Sequence, residues 1–130
     1  MKDFDAWNEK KKKADELPEA ERIFFQEREI FFLRLGVNIG IEQDGGKNFL
    51  RPVLIFKKLS RKLFFGIPLS SRSEGKEGNF FFPFLFRGKK QILLLAQARV
   101  FDSKRLKYYA GRVSPEDFSQ IKKATRELLF

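Results

Sequence analysis

Apolar positions along the chain follow two patterns. Near the amino terminus Phe4, Trp7, Ala14 and Leu17 recur at helical spacing and predict a helix over residues 3–17. Asp3 or Asp5 would cap it, and Lys10 to Lys13 would lie on its solvated faces. Pro18 ends this helix, and residues 19–26 read as a second short one. From Glu29 onward the apolar residues come in short runs separated by glycine, proline and charged clusters, which is the strand pattern. Strands are predicted over 29–35, 51–56, 63–69, 80–86 and 92–97, with Gly66 and Pro68 suggesting a bulge or an edge position in the third. A Gly-rich polar loop spans 36–50, a basic turn 57–62, a polar loop 71–79 and a basic turn 87–90; residues 102–111 read as a basic connection. Ser114-Pro115-Glu116-Asp117 has the hydroxyl cap, first-position proline and early acids of a helix start, and Phe118, Ile121, Thr125 and Leu128 then form one stripe.

The order is helix, about five strands, helix. Short hairpin connections imply a mainly β (α+β) fold, either a strongly twisted antiparallel sheet or a small barrel. A chain of 130 residues supports one core, so 29–130 is expected to be the domain and 1–28 a helical extension, with Trp7 as its packing anchor. Seventeen Phe and 42% hydrophobic content exclude a disordered chain. No apolar run approaches the roughly 20 residues of a membrane helix, and the charged amino terminus does not read as a signal peptide. Histidine and cysteine are both absent, which removes disulfides, Cys-based zinc sites and His-dependent triads and points to the cytosol. Residues 1–30 carry seven Lys/Arg against nine Asp/Glu, net −2, and residues 31–130 carry twenty against eight, net +12. The basic excess belongs to the body of the domain. It fits a phosphate-bearing partner, or a basic soluble surface and nothing more. The Phe80-Phe81-Phe82 run fits a base-stacking platform, or a strand buried on one face with an interface on the other.

Four pieces occur in a telling order: Glu42-Gln43 in the Gly-rich loop, Arg51-Pro52 opening a strand, Ser70 closing the next, and Gln97-Ala98-Arg99-Val100-Phe101-Asp102 late in the chain. This order resembles the PemK/MazF family of bacterial toxins, sequence-specific endoribonucleases with an SH3-like barrel, over about residues 29–129. No single piece is specific; their order carries the resemblance. It implies Arg51, Ser70 and Glu42 as catalytic residues, Gln43, Asn48, Arg72, Lys76, Gln97 and Arg99 as RNA-binding residues, and no metal or other cofactor. It also implies a homodimer, single-stranded RNA as substrate and a cognate acidic antitoxin, all in the bacterial cytoplasm with no membrane role.

Such chemistry needs a fixed positive fork for a crowded phosphate, which arginine provides, and a further hydrogen-bond donor, which Ser70 could be. The family usually has threonine at that place. Glu42 would be a base or would orient Arg51. Some members carry a carboxylate just before the Gln-x-Arg pair and an arginine two residues earlier. Here those places hold Ala96 and Leu94, so the burden falls on Arg51, Ser70 and Glu42. Two rival readings stand beside the enzyme: a non-catalytic gyrase poison like CcdB, suggested by the terminal Phe130, and a small-barrel RNA-binding module.

Overall fold

The computed structural model describes residues 22–35, 50–72 and 74–129. The helix expected over 3–17, with Trp7, and Glu42, Gln43 and Asn48 of the Gly-rich loop lie outside the described residues. Among the described residues seven strands precede one helix: β1 (Glu29–Arg34), β2 (Leu50–Lys58), β3 (Leu63–Ser70), β4 (Phe81–Phe86), β5 (Lys89–Leu94), β6 (Arg99–Asp102), β7 (Leu106–Arg112) and α1 (Pro115–Leu129). They form an antiparallel sheet in the order β4-β5-β3-β2-β1-β7, with β6 also pairing to β3. The twisted sheet is as expected, but it has seven strands where about five were predicted. It does not close into a barrel, because β4 and β7 have no second strand neighbour among the described residues.

Strand alternation divides the sheet into two apolar faces. On one, Ile30, Leu54, Ile67 and Leu69 pack beneath Phe118 and Ile121 of α1. On the other, Phe31, Val53, Ile55, Phe64 and Phe101 form a second cluster, which Phe25 completes. The helix starts as its sequence dictates: Ser114 Oγ accepts from the Asp117 amide at 3.1 Å, and Glu116 and Asp117 complement the dipole of the first turn. Thr125 is buried on the stripe and donates its hydroxyl to the Ile121 carbonyl at 2.8 Å.

Four local expectations are corrected. Residues 22–26 are not helical: Phe25 is inserted beside Phe64 with ring centroids 5.2 Å apart, and Lys58 Nζ donates to the Phe25 carbonyl at 3.0 Å. Burying an aromatic ring is worth about 1.5–3 kcal/mol, more than the weak helix preference of so short a segment. The stretch read as a connection over 102–111 contains the end of β6, a 3₁₀ turn (Ser103–Arg105) and β7. The strand expected over 92–97 begins earlier, at Lys89, and gives way to a 3₁₀ turn (Leu95–Gln97). The turn before it is only Arg87-Gly88, both with positive φ (52° and 79°), the two-residue connection that suits strand twist. Finally, β3 is a central strand and not an edge. Its start pairs with β6 through Gly66 and its end with β5 from Leu69, so Pro68 falls in the gap between the two. The bulge lies in β2, between Ile55 and Lys57.

The segment entering β1 is clasped from a distance. Arg22 Nη1 donates to Asp102 Oδ1 at 2.9 Å and to Ser103 Oγ at 2.7 Å. Asp102 Oδ1 also accepts from the Lys104 amide at 2.8 Å, closing the 3₁₀ turn. Burial opposes ionisation of Asp102, but the Lys104 amide, the Arg22 hydrogen bond and the charges of Arg22 and Lys104 outweigh it and hold its pKa below the usual carboxylate value.

Two outcomes follow from this packing. A Cβ on Gly66 would lie 2.7 Å from Val53 Cγ1, 2.9 Å from Phe64 Cε2 and 3.0 Å from Phe101 Cδ2. Gly66→Ala should therefore cost about 1–3 kcal/mol by overpacking, read from urea denaturation; wild-type stability would refute that account of β3. Asp102 has a depressed folded pKa, so its stabilisation is present above its unfolded value of about 3.9 and is lost as pH falls through the folded value. The stability gap between wild type and Asp102→Asn at pH near 7 should shrink in urea titrations below pH about 4. A gap independent of pH would show that the charge of Asp102 is not what holds the clasp.

Candidate active site at the ends of β2 and β3

Arg51 is the second residue of β2 and stands opposite Leu33 of β1. On the other side, β2 meets β3 at Val53↔Pro68, so the same antiparallel register carries Arg51 to the level of Ser70 two residues further on. Alternation puts Arg51 on the side of Val53 and Ile55, and Ser70 on the side of Phe64 and Gly66, which is the same face of the sheet. Both are nearly shut off from solvent, at 7% and 6% exposure. They are two of only four polar residues buried among the described ones, and the other two, Ser103 and Thr125, belong to the clasp and the helix.

Each is held by its strand. Pro52 stands opposite Phe32 and keeps Arg51 in extended backbone. Ser70 pairs with Ile92 of β5, and its Oγ accepts from the Arg72 amide at 3.1 Å, which leaves the hydroxyl proton to be donated. A buried arginine remains charged and needs partners, and Arg51 makes at least one polar, ionic or ring contact. This arrangement offers a buried arginine and a hydroxyl donor on one face at the adjoining ends of β2 and β3, suited to a bound oxyanion.

Of the other expected site residues, Arg72, Lys76, Gln97 and Arg99 are among the described ones. Arg72 is exposed just past Ser70, and Lys76 is half-buried in the following loop. Arg99 pairs with Gly66 on the face that carries Ser70, four residues away along β3, or about 13 Å at 3.3 Å per residue. It is exposed, with its guanidinium 4.6 Å from the centre of the Phe101 ring. Gln97 is exposed at the end of the 3₁₀ turn. Leu94 is packed in the interior opposite Phe81, and Ala96 is exposed. The structure thus brings Arg51 and Ser70 together, with Arg72 beside them, and sets Arg99 further along the same face. Asp102, the last residue of the Gln97–Asp102 motif, works as an anchor through Arg22 and holds β6, and with it Arg99, in place. Arg22 itself carried no signal in the sequence, since the contact spans 80 positions.

Among the described residues no three Asp or Glu side chains converge as metal ligands, and no helix is long and apolar enough to cross a membrane. The fold is similar to that of a MazF crystal structure from Deinococcus radiodurans, with a TM-score of 0.62 and 20% identity over 82% of this chain and 97% of that one. It is also similar to a MazE-MazF structure from the same organism, with a TM-score of 0.58 and 19% identity over 82% and 96% of the two chains. No individually curated protein matches at a significant level. A family model described as the PemK-like, MazF-like toxin of type II toxin-antitoxin systems matches residues 26–129, and the chain therefore belongs to that family.

Proposed function

We propose that this toxin is a sequence-specific endoribonuclease that cuts single-stranded mRNA in the bacterial cytoplasm without a metal ion. The observation that carries this reading is the buried Arg51 beside the buried Ser70 hydroxyl, at one level across β2 and β3. In the reaction the RNA 2′-oxygen forms a bond to the adjacent phosphorus while the bond to the 5′-oxygen breaks. The 2′-hydroxyl proton goes to a base, and the departing 5′-oxygen gains a proton. The products are a 2′,3′-cyclic phosphate and a 5′-hydroxyl. Arg51 would hold the two non-bridging oxygens of the crowded phosphorus, and Ser70 would donate a further hydrogen bond to one of them. Glu42 would take the proton or orient Arg51, and Gln43, Asn48, Arg72, Lys76, Gln97 and Arg99 would position the strand. Residues 29–130 form the toxin domain in this reading, with 1–28 as an extension.

A homodimer and an acidic antitoxin complete the proposal. The apolar side chains of β3 are mostly spent inside one protomer, since Phe64, Ile67 and Leu69 are buried. Phe80 and Leu85, at the start of and within the β4–β5 hairpin, are instead 53% and 68% exposed and offer surface for a second copy. The MazE-MazF neighbour supports an antitoxin partner, and the charge of +12 on residues 31–130 favours an acidic tail. One observation favours a second reading, an RNA-binding module without activity: the interior Leu94 and the apolar Ala96 leave those two places without an ionisable group.

Purified protein incubated with a long single-stranded RNA should produce discrete cuts that persist in chelator and carry cyclic-phosphate and 5′-hydroxyl ends. Binding without cuts would select the module, and loss of cleavage in chelator would refute the mechanism. Arg51→Lys should fail, because lysine keeps the charge but not the bidentate fork. Ser70→Ala should lose about tenfold to a few hundredfold in rate, within the roughly 2.7–4 kcal/mol of one strong transition-state donor. Glu42→Gln separates two roles: a lost base flattens the acidic limb of the pH–rate profile, and a lost orienting partner lowers the rate at every pH. Light scattering should show a dimer at tens of micromolar, roughly a working concentration for a tight interface, and a monomer there would remove that part.

A further inference from the structure

The face of the sheet opposite Arg51 and Ser70 carries a cleft of about 630 Å³ between the sheet and the second half of α1. Its floor starts at Phe56, which strand alternation from Leu54 puts on the side of α1, where its ring lies 6.2 Å from Phe65 and 5.9 Å from Phe118. The register shift between Ile55 and Lys57 then sets Lys57 opposite Phe65 on this same face. Phe65 pairs with Lys57 on one side and Val100 of β6 on the other, so Phe65 and Val100 continue one apolar row beyond the part of the sheet that the helix covers. Val100 stays 50% exposed. Above this floor, Lys57, Lys122 and Arg126 stand on the rim. The single carboxylate there, Glu27, lies 4.0 Å from Lys57 Nζ and accepts from the Lys58 amide at 3.0 Å, so it is already engaged.

We infer that this cleft docks an acidic peptide segment of a partner protein, with one aromatic or branched aliphatic side chain seated on Phe56, Phe65 and Val100. The volume lies within the roughly 300–1,000 Å³ of pockets that hold compact organic groups. Charge selects the occupant. A second copy packed symmetrically would bring Lys57, Lys122 and Arg126 against the same three cations, which disfavours a self-contact. A concave pocket whose rings already contact one another suits an inserted side chain better than a flat base, so peptide is favoured over RNA. The inference rests on the proposed function only for the existence of an acidic partner. It adds a second anchor, on the far face, that can hold that partner while the Arg51–Ser70 end is open.

The test uses the full chain and a fluorescein-labelled acidic peptide carrying a Leu-Trp pair flanked by glutamates, read by fluorescence anisotropy at about 0.15 M salt. Saturable binding with Kd below about 100 μM is expected, with no saturation by a peptide in which serines replace the Leu-Trp pair. Lys122→Gln with Arg126→Gln should weaken binding about tenfold or more, as should Val100→Asp. All three positions are exposed, so the fold should stand, and circular dichroism checks this. Arg51→Ala should leave the peptide Kd unchanged, and the Lys122/Arg126 double variant should leave any RNA cleavage unchanged. No saturation up to about 1 mM would overturn the inference, as would equal binding by the cleft variants. Loss of binding in Arg51→Ala would place the peptide at the active groove, and displacement by oligouridylate that is abolished by Val100→Asp would make the cleft a nucleic-acid site. The peptide arm reads binding directly, so a chain that cuts no RNA could still satisfy it.

Discussion

The pairing of β3 with three other strands is the constraint on which the rest of the structure depends. It runs beside β2, takes β6 along its first half and β5 at its last two positions. Its register therefore sets that of both neighbouring hairpins. Gly66 is needed where Val53, Phe64 and Phe101 converge, and Pro68 is tolerated where neither β5 nor β6 reaches. A slip of one residue would turn Phe64 and Ser70 toward α1 and Ile67 and Leu69 away from it. The same packing that fills both apolar faces thus fixes the face on which Ser70 stands, opposite Ile92 of β5.

This dependence explains how the site is prepared. Arg51 is nearly shut off from solvent, and its backbone is held by Pro52 and by the Leu33 pairing. A buried side chain has little freedom left to lose on meeting a phosphate. Leu94, which stands where some relatives carry an arginine, is consumed by the interior opposite Phe81. The electrostatic work of the proposed reaction is accordingly concentrated at one end of the sheet.

What the sequence disclosed divides along the range of the interactions. Helix α1 was legible to its cap, because Ser114, Pro115 and the 118–121–125 stripe act within a turn or two. The cores of β1 to β5 were legible as apolar runs. Strand β7 was not: it is an edge strand whose Tyr108 and Tyr109 both remain more than half exposed, so alternation is blurred. Residues 22–26 were misread because Phe25 answers to Phe64 and Arg22 to Asp102, contacts that no local pattern encodes. The site shows the same division. Arg51 and Ser70 stood out by their order in the chain, but their placement at one level follows from the β2–β3 register. The clasp and the far-face cleft depend on residues from distant parts of the chain.

The central claim is that Arg51 and Ser70 act on one phosphate as a unit. The measurement that tests it most directly is a double-mutant cycle on single-turnover RNA cleavage with Arg51→Lys, Ser70→Ala and the pair together. If the two share one transition state, the double variant should be hardly slower than Arg51→Lys alone. Losses that simply multiply would mean that the two groups act independently, and would contradict the account.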